Sequence, residues 1–106
     1  MKFALCNEMF GDAPPEDAFA AAADLGYDAV EIAPFTIAPS VAEVSPRRRA
    51  GIRAAAEARG LAIAGTHWLL VKPPGLSITS PDAAVRARTR PRPASAWGAR
   101  RGGRPR

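Results

Sequence analysis

Apolar and polar positions switch between two periods over the first ninety residues, in the order strand, helix, strand, helix, strand, helix. KFALCN, residues 2–7, is a short apolar run with the character of a parallel strand covered on both faces. After the loop GDAPP, a helix is expected to begin at Pro14 or Pro15, because proline's missing N–H is no loss in a first helical turn. Ala18, Phe19, Ala22 and Leu25 then recur three and four residues apart and form one apolar stripe. Gly26 ends this helix as a residue that adopts the left-handed conformation at low cost. DAVEIA, residues 28–33, predicts a second strand, closed by Pro34, which has no ladder donor.

The connection PFTIAPSVAEV is longer than an ordinary strand-to-helix loop and is expected to hold a short helical turn or part of a ligand-facing rim. Ser45 is the expected cap of a second helix, with Pro46 at its first position, residues 47–59 as its body, and Ile52, Ala55 and Ala56 facing the sheet. Gly60 repeats the role of Gly26, and LAIAG, residues 61–65, predicts the third strand. A long loop over residues 66–79 carries the single histidine and the stiff turn KPPG. Ser80, Pro81 and Asp82 repeat the cap, proline and acidic first turn, so AAVRARTR reads as the start of a third helix. The repeat predicts an α/β fold with about three parallel βα units.

The grammar stops at residue 91. PRPASAWGARRGGRPR has no strand or helix period, and its prolines and glycines defeat either element. Charge placement reinforces this boundary. Residues 1–82 carry ten acidic and seven basic side chains, a net of −3, whereas residues 83–106 carry eight arginines and no acid, a net of +8. The formal +5 therefore belongs to the last quarter of the chain. Three readings of the tail compete: translation in a shifted frame of a GC-rich gene, which over-produces Pro, Arg, Ala and Gly; a basic arm that contacts phosphates with Trp97 as a stacking group; and some other linker function.

A length of 106 residues fits one domain at most, and with 47% hydrophobic but only 7% aromatic residues the core is light and alanine-rich. Cys6 is the single cysteine, which excludes an intrachain disulfide, and no paired Cys/His spacing offers structural zinc. No run reaches a membrane span, and Glu8 and Asp12 come too early for a secretory signal, so a cytoplasmic protein is expected with no membrane partner.

Ligands of parallel βα arrays meet the C-terminal ends of the strands and the loops that follow. This places Cys6, Asn7 and Glu8, then Glu31, then Thr66, His67 and Trp68, on one rim. Glu31 is the most informative, since a carboxylate inside AVEIA is costly unless it is paired or turned toward a polar space. Its alternatives are a ligand-side role and a partner to a backbone or arginine group. His67 is placed to contact a substrate or a metal, to pair with Glu31, or to be a satisfied structural residue. Cys6 reads as a small filler, Trp68 as part of a loop core or rim, and the run Arg47-Arg48-Arg49 as a solvated face. The exit CNEMFGD is no dinucleotide fingerprint, and phosphate-loop and nucleophile-elbow motifs are missing.

ALCNEMF, DLGYDAVEIAPF, ARGLAIAGTHWLL and LSITSPDAAVRART together resemble the first three βα units of the xylose-isomerase-like TIM barrels, the sugar phosphate isomerase/epimerase superfamily. The resemblance covers residues 1–90 and implies an incomplete TIM barrel followed by the Pro/Arg/Gly-rich tail 91–106. It implies ancestry in enzymes that interconvert ketoses, or aldoses and ketoses, by metal-assisted proton transfer through an enediolate, with Mn, Mg, Co or Zn held by residues of later strands. The resemblance places Glu31 on the family's second-strand glutamate and His67 in the third-strand rim of its substrate pocket; with their rim neighbours Cys6, Asn7 and Trp68 they are the expected substrate contacts. No catalytic residue falls within this chain, and His67 is the one position that the related apurinic endonuclease branch suggests as a metal ligand. The chain is accordingly expected to bind no metal, to be inactive alone toward the small-molecule sugars of its relatives, and to be marginally stable or self-associated through open sheet edges. The alternatives are an apurinic endonuclease-like metal enzyme and a non-catalytic nucleic-acid binder acting through the tail; the acidic balance of residues 1–82 argues against nucleic acid as a partner of the folded part.

Overall fold

A computed structural model describes residues 1–90. The tail 91–106, read above as a basic arm, a linker or the product of a shifted frame, lies outside the described residues, Trp97 included. Three parallel strands, β1 (Ala4–Cys6), β2 (Ala29–Ile32) and β3 (Ala62–Thr66), form one sheet in the order β1-β2-β3. Helices α1 (Pro15–Asp24) and α2 (Pro46–Glu57) make the crossovers, and α3 (Ala83–Thr89) follows β3. The chain is thus a small α/β domain with three strands and three α-helices among the described residues. No helix of the described residues is long and apolar enough to cross a membrane.

The two crossovers end alike, as the glycines predict. Gly26 has φ +79° and Gly60 φ +73°, and each reverses the chain so that two amides return to the last turn of the helix. After α1 the amides of Gly26 and Tyr27 donate to the carbonyls of Ala23 and Ala22; after α2 those of Gly60 and Leu61 donate to Glu57 and Ala56. This double closure satisfies carbonyls that a bare helix end would leave open, and only a left-handed residue at the reversal allows it.

The core lies on one face of the sheet. Leu5, Val30, Ile32 and Leu61 pack with Ala18, Phe19 and Ala22 of α1 and Ile52 and Ala56 of α2, and Ile63 is half-buried against them. Side chains alternate across a strand, so Ala4, Cys6, Ala29 and Glu31 share the other face. There Ala4, and Ala62 and Ala64 of β3, are exposed. Coverage on both faces, expected from the apolar runs, does not occur among the described residues: both long crossovers lie on the same side of the sheet. Leu25 is a second correction. The α1 stripe ends at Ala22, and Leu25, one residue past the helix, is 72% exposed beside Phe3 and Tyr27 along an open groove of about 250 Å³.

Ser45 caps α2 as expected, accepting from the Arg48 amide at 3.1 Å. At α3 the cap is Asp82, whose Oδ1 accepts from the Ala84 amide at 2.8 Å, while Ser80 serves one step earlier by accepting from the Asp82 amide. The connection between β2 and α2 holds two single 3₁₀ turns, at Pro34–Thr36 and Val41–Glu43.

The arginine run is not a uniform solvated face, because Arg48 makes a bidentate ion pair with Glu16 of α1 and ties the two covering helices together. Hydrogen bonding from this guanidinium holds the Glu16 carboxyl below its ordinary range, against a smaller opposing effect of burial. The same bond raises Arg48. A carboxyl lowered by folding adds stability that is complete above the unfolded carboxyl's pKa and is lost as the pH falls through the folded value. The guanidinium is 41% exposed, which limits the effect. Glu16→Gln is expected to cost about 0.5–1 kcal/mol near pH 7 and nothing near pH 2. Urea melts of both proteins across that range measure the gap; a constant gap would count against the ion pair as its source.

Candidate functional site

The register assembles the site. Cys6 lies beside Glu31 across β1 and β2, and Glu31 lies beside Gly65 across β2 and β3. Between these pairs the β2–β3 register shifts, since Val30 pairs with Ile63 but Glu31 with Gly65, leaving Ala64 as an extra residue. The shift carries β3 one residue beyond the expected end, to Thr66, and the His67 amide then donates to the Ile32 carbonyl at 2.8 Å. A backbone bond therefore holds His67 at the C-terminal end of β2, over Glu31.

The imidazole is bracketed by two carboxylates. Nε2 lies 3.5 Å from Glu8 Oε2, and Nδ1 lies 3.6 Å from Glu31 Oε2. Glu8 is in the 3₁₀ turn Asn7–Phe10 that directly follows β1, so the three residues come from the ends of all three strands. Each side chain is a little over one-third exposed, which leaves the cluster open to solvent. Trp68 stacks on His67, with ring centres 5.3 Å apart and planes 20° apart, and meets Phe35 at 6.4 Å. The indole is 59% exposed, and its backbone is left-handed, with φ +52°. Lys72, further along the same loop, donates to the Phe35 carbonyl at 3.4 Å.

Cys6 is half-buried beneath this cluster. Burial pushes its thiol up, a hydrogen bond with the Glu8 backbone pulls it down, and the charges of Glu31 and Glu8 push it up again. The thiol is thus kept protonated and a poor nucleophile.

Asn7 occupies a different position from the other rim residues. It is 1% exposed, and its amide lies inside the wall of the site. Oδ1 accepts from the Ala33 amide at 2.6 Å, and Nδ2 donates to Thr36 Oγ1 at 2.8 Å. Thr36 in turn donates to the Ala33 carbonyl at 2.8 Å. This ring fastens the exit of β1 to the exit of β2 and fixes the turn that carries Glu8.

Glu31, His67, Trp68 and Cys6 are therefore brought together as expected, with Asn7 supporting them from within. Sequence reasoning placed Glu8 on the rim but did not select it as a ligand contact, and it missed Phe35 and Lys72. Phe35 follows Pro34 in an overlong loop, which was the available signal. A divalent metal does not fit the described residues, among which no group of three or more His, Cys, Asp and Glu is arranged to hold one. The two carboxylates face different nitrogens of one ring, so the donors do not converge on a common point.

Comparison with known proteins gives no family model, no curated protein and no solved structure that matches the chain.

Proposed function

We propose that residues 1–90 are the opening three βα units of a sugar isomerase/epimerase barrel of the xylose-isomerase-like kind, and that this 106-residue chain turns over no sugar by itself. The observation that carries the reading is the meeting of Glu8, Glu31 and His67 at the C-terminal ends of three consecutive parallel strands. A parallel array places its ligands there, and a barrel continues the same sheet beyond β3. Isomerisation of a sugar needs a base within reach of a carbon-bound proton and a cationic or hydrogen-bonding group that stabilises the enediolate. The rim supplies acceptors for the first task. Among the described residues the imidazole, which could serve the second, faces two carboxylates. The divalent metal of the proposed relatives would do this work, and residues of later strands would hold it.

Two measurements test the reading. Ketohexoses and ketopentoses, incubated with the purified chain and Mn²⁺ or Mg²⁺, are expected to return unchanged by chromatography; turnover lost in Glu31→Gln would overturn the claim of inactivity. Amide NMR spectra are expected to show the signals of Glu31 and His67 shifting saturably with D-fructose. Signals unmoved by any free or phosphorylated sugar would overturn the sugar-rim reading itself.

A further inference from the structure

We infer that the face formed by Glu8, Glu31 and Trp68 is a guanidinium-binding surface, and that its occupant is the chain's own arginine-rich segment, residues 91–106. The docking goes beyond the sugar reading and does not depend on it.

The two carboxylates stand at strand ends, each a little over one-third exposed, and their described ion pairs converge on one imidazole, at 3.5 and 3.6 Å. One imidazole carries at most one positive charge, so this face keeps an excess of negative charge at neutral pH. Residues 91–106 hold the complementary excess. They include Arg92, Arg100, Arg101, Arg104 and Arg106 and no acidic residue, whereas residues 1–82 have a net charge of −3.

The side chains on the face suit guanidinium in particular. A guanidinium offers two parallel N–H donors to one carboxylate, and its flat face stacks on an indole. Trp68 stacks on the imidazole that meets both carboxylates and is itself 59% exposed. Carboxylate and indole are therefore neighbours, and the adjacent Arg100 and Arg101 supply a guanidinium for each.

The segment also starts close enough to arrive. Helix α3 ends at Thr89, whose Oγ1 accepts from the Ser77 amide at 3.0 Å and donates to the Val85 carbonyl at 2.8 Å. This ties the beginning of the segment to the loop that carries His67 and Trp68. Ser77 is nine residues beyond Trp68, about 30 Å at full stretch, and the sixteen residues 91–106 extend to about 50 Å. Exposed ion pairs are individually weak, but a tethered segment meets the face at an effective concentration on the order of millimolar, and several arginines act together.

The test uses the full chain carrying Trp97→Phe, so that Trp68 gives the one indole signal, and compares it with the same chain in which the five arginines of residues 91–106 are replaced by Gln. At about 20 mM salt the NMR signals of the Trp68 indole and the Glu31 amide are expected to differ between the two proteins, and at about 0.5 M salt to coincide, because screening then acts within a few ångströms. The paired substitution Glu8→Gln and Glu31→Gln is expected to abolish the low-salt difference, with amide dispersion of residues 1–90 showing that each variant is folded. The difference is expected to be independent of protein concentration. Coincident signals at low salt overturn the docking; duplex-DNA binding lost with the same arginines would then make the segment a phosphate-binding arm. A difference that survives high salt, or removal of both carboxylates, overturns guanidinium pairing as its cause. A difference that grows with protein concentration places the arginines on a second copy and overturns the contact within one chain. The sugar titrations above, repeated at the higher salt, test the sugar-rim reading separately.

Discussion

Phe19→Ala is expected to remove most of the stability of the domain. Phe19 is fully buried at the centre of α1, and it is the largest buried side chain of the single core. Truncating a buried phenylalanine costs about 3–5 kcal/mol, from the lost transfer energy and from the cavity left behind. Here the cavity has poor means of collapse. Ala18 and Ala22 on the same helix, and Ala56 on α2, are too short to reach into it, and Val30 and Ile32 are fixed by the sheet ladder. A domain of this size has roughly 5–13 kcal/mol in all. The lower part of that range is the appropriate one for a sheet with one covered face. Thermal unfolding followed by circular dichroism is expected to show a midpoint lower by at least about 15 °C, or a chain already unfolded at room temperature. Leu25→Ala is the control, because its side chain is 72% exposed and its loss is expected to cost under about 0.5 kcal/mol. A Phe19→Ala midpoint within a few degrees of the parent would mean that the core is not where the structure places it.

The contrast between Phe19 and Leu25 shows what periodicity conveys. Both belong to one stripe in the sequence, and the stripe correctly orients α1. Where the helix ends relative to the sheet is a tertiary matter, decided by the reversal at Gly26, and it leaves Leu25 beyond the covered strands. Gly26, Gly60 and Ser45 were legible because each answers a local need of the backbone, a left-handed residue or an oxygen for a free amide. The reading of Ser80 as the cap of α3, with Asp82 in its first turn, is corrected: the helix begins at Ala83 and Asp82 caps it, while Ser80 accepts from the Asp82 amide one step earlier. Glu31 was legible as an anomaly, a carboxylate in an apolar run. Its partnership with His67 depends on the extra residue at Ala64, a shift in pairing that no pattern in LAIAG announces. Glu8 and Arg48 were visible as charges, but their partners lie 59 and 32 residues away and are set by how the strands and helices pack.

Asn7→Ala is expected to produce the largest loss among the polar side chains, and to disturb the rim without touching its exposed groups. Removing the amide leaves the Ala33 N–H without an acceptor in a place where the residue is wholly buried, and it leaves Thr36 Oγ1 without its donor. An orphaned buried group costs about 1–3 kcal/mol, and the void left by the side chain adds to this, so a total of about 2–4 kcal/mol is expected in urea melts. Thr36→Val is milder, because the bond from Ala33 to Asn7 survives while the Asn7 Nδ2 and the Ala33 carbonyl each lose one partner; about 1 kcal/mol is expected. The two changes share one ring of hydrogen bonds, so their combined cost is expected to fall short of their sum. Hydrogen exchange gives a local reading. The Ala33 amide is expected to be protected in the parent and in Thr36→Val, and to exchange rapidly in Asn7→Ala. The Glu8 and His67 amide signals should shift in Asn7→Ala as the turn after β1 loosens. Full protection of Ala33 in that variant, with a stability loss under about 0.5 kcal/mol, would show that another group satisfies this amide and that Asn7 is free to face a ligand.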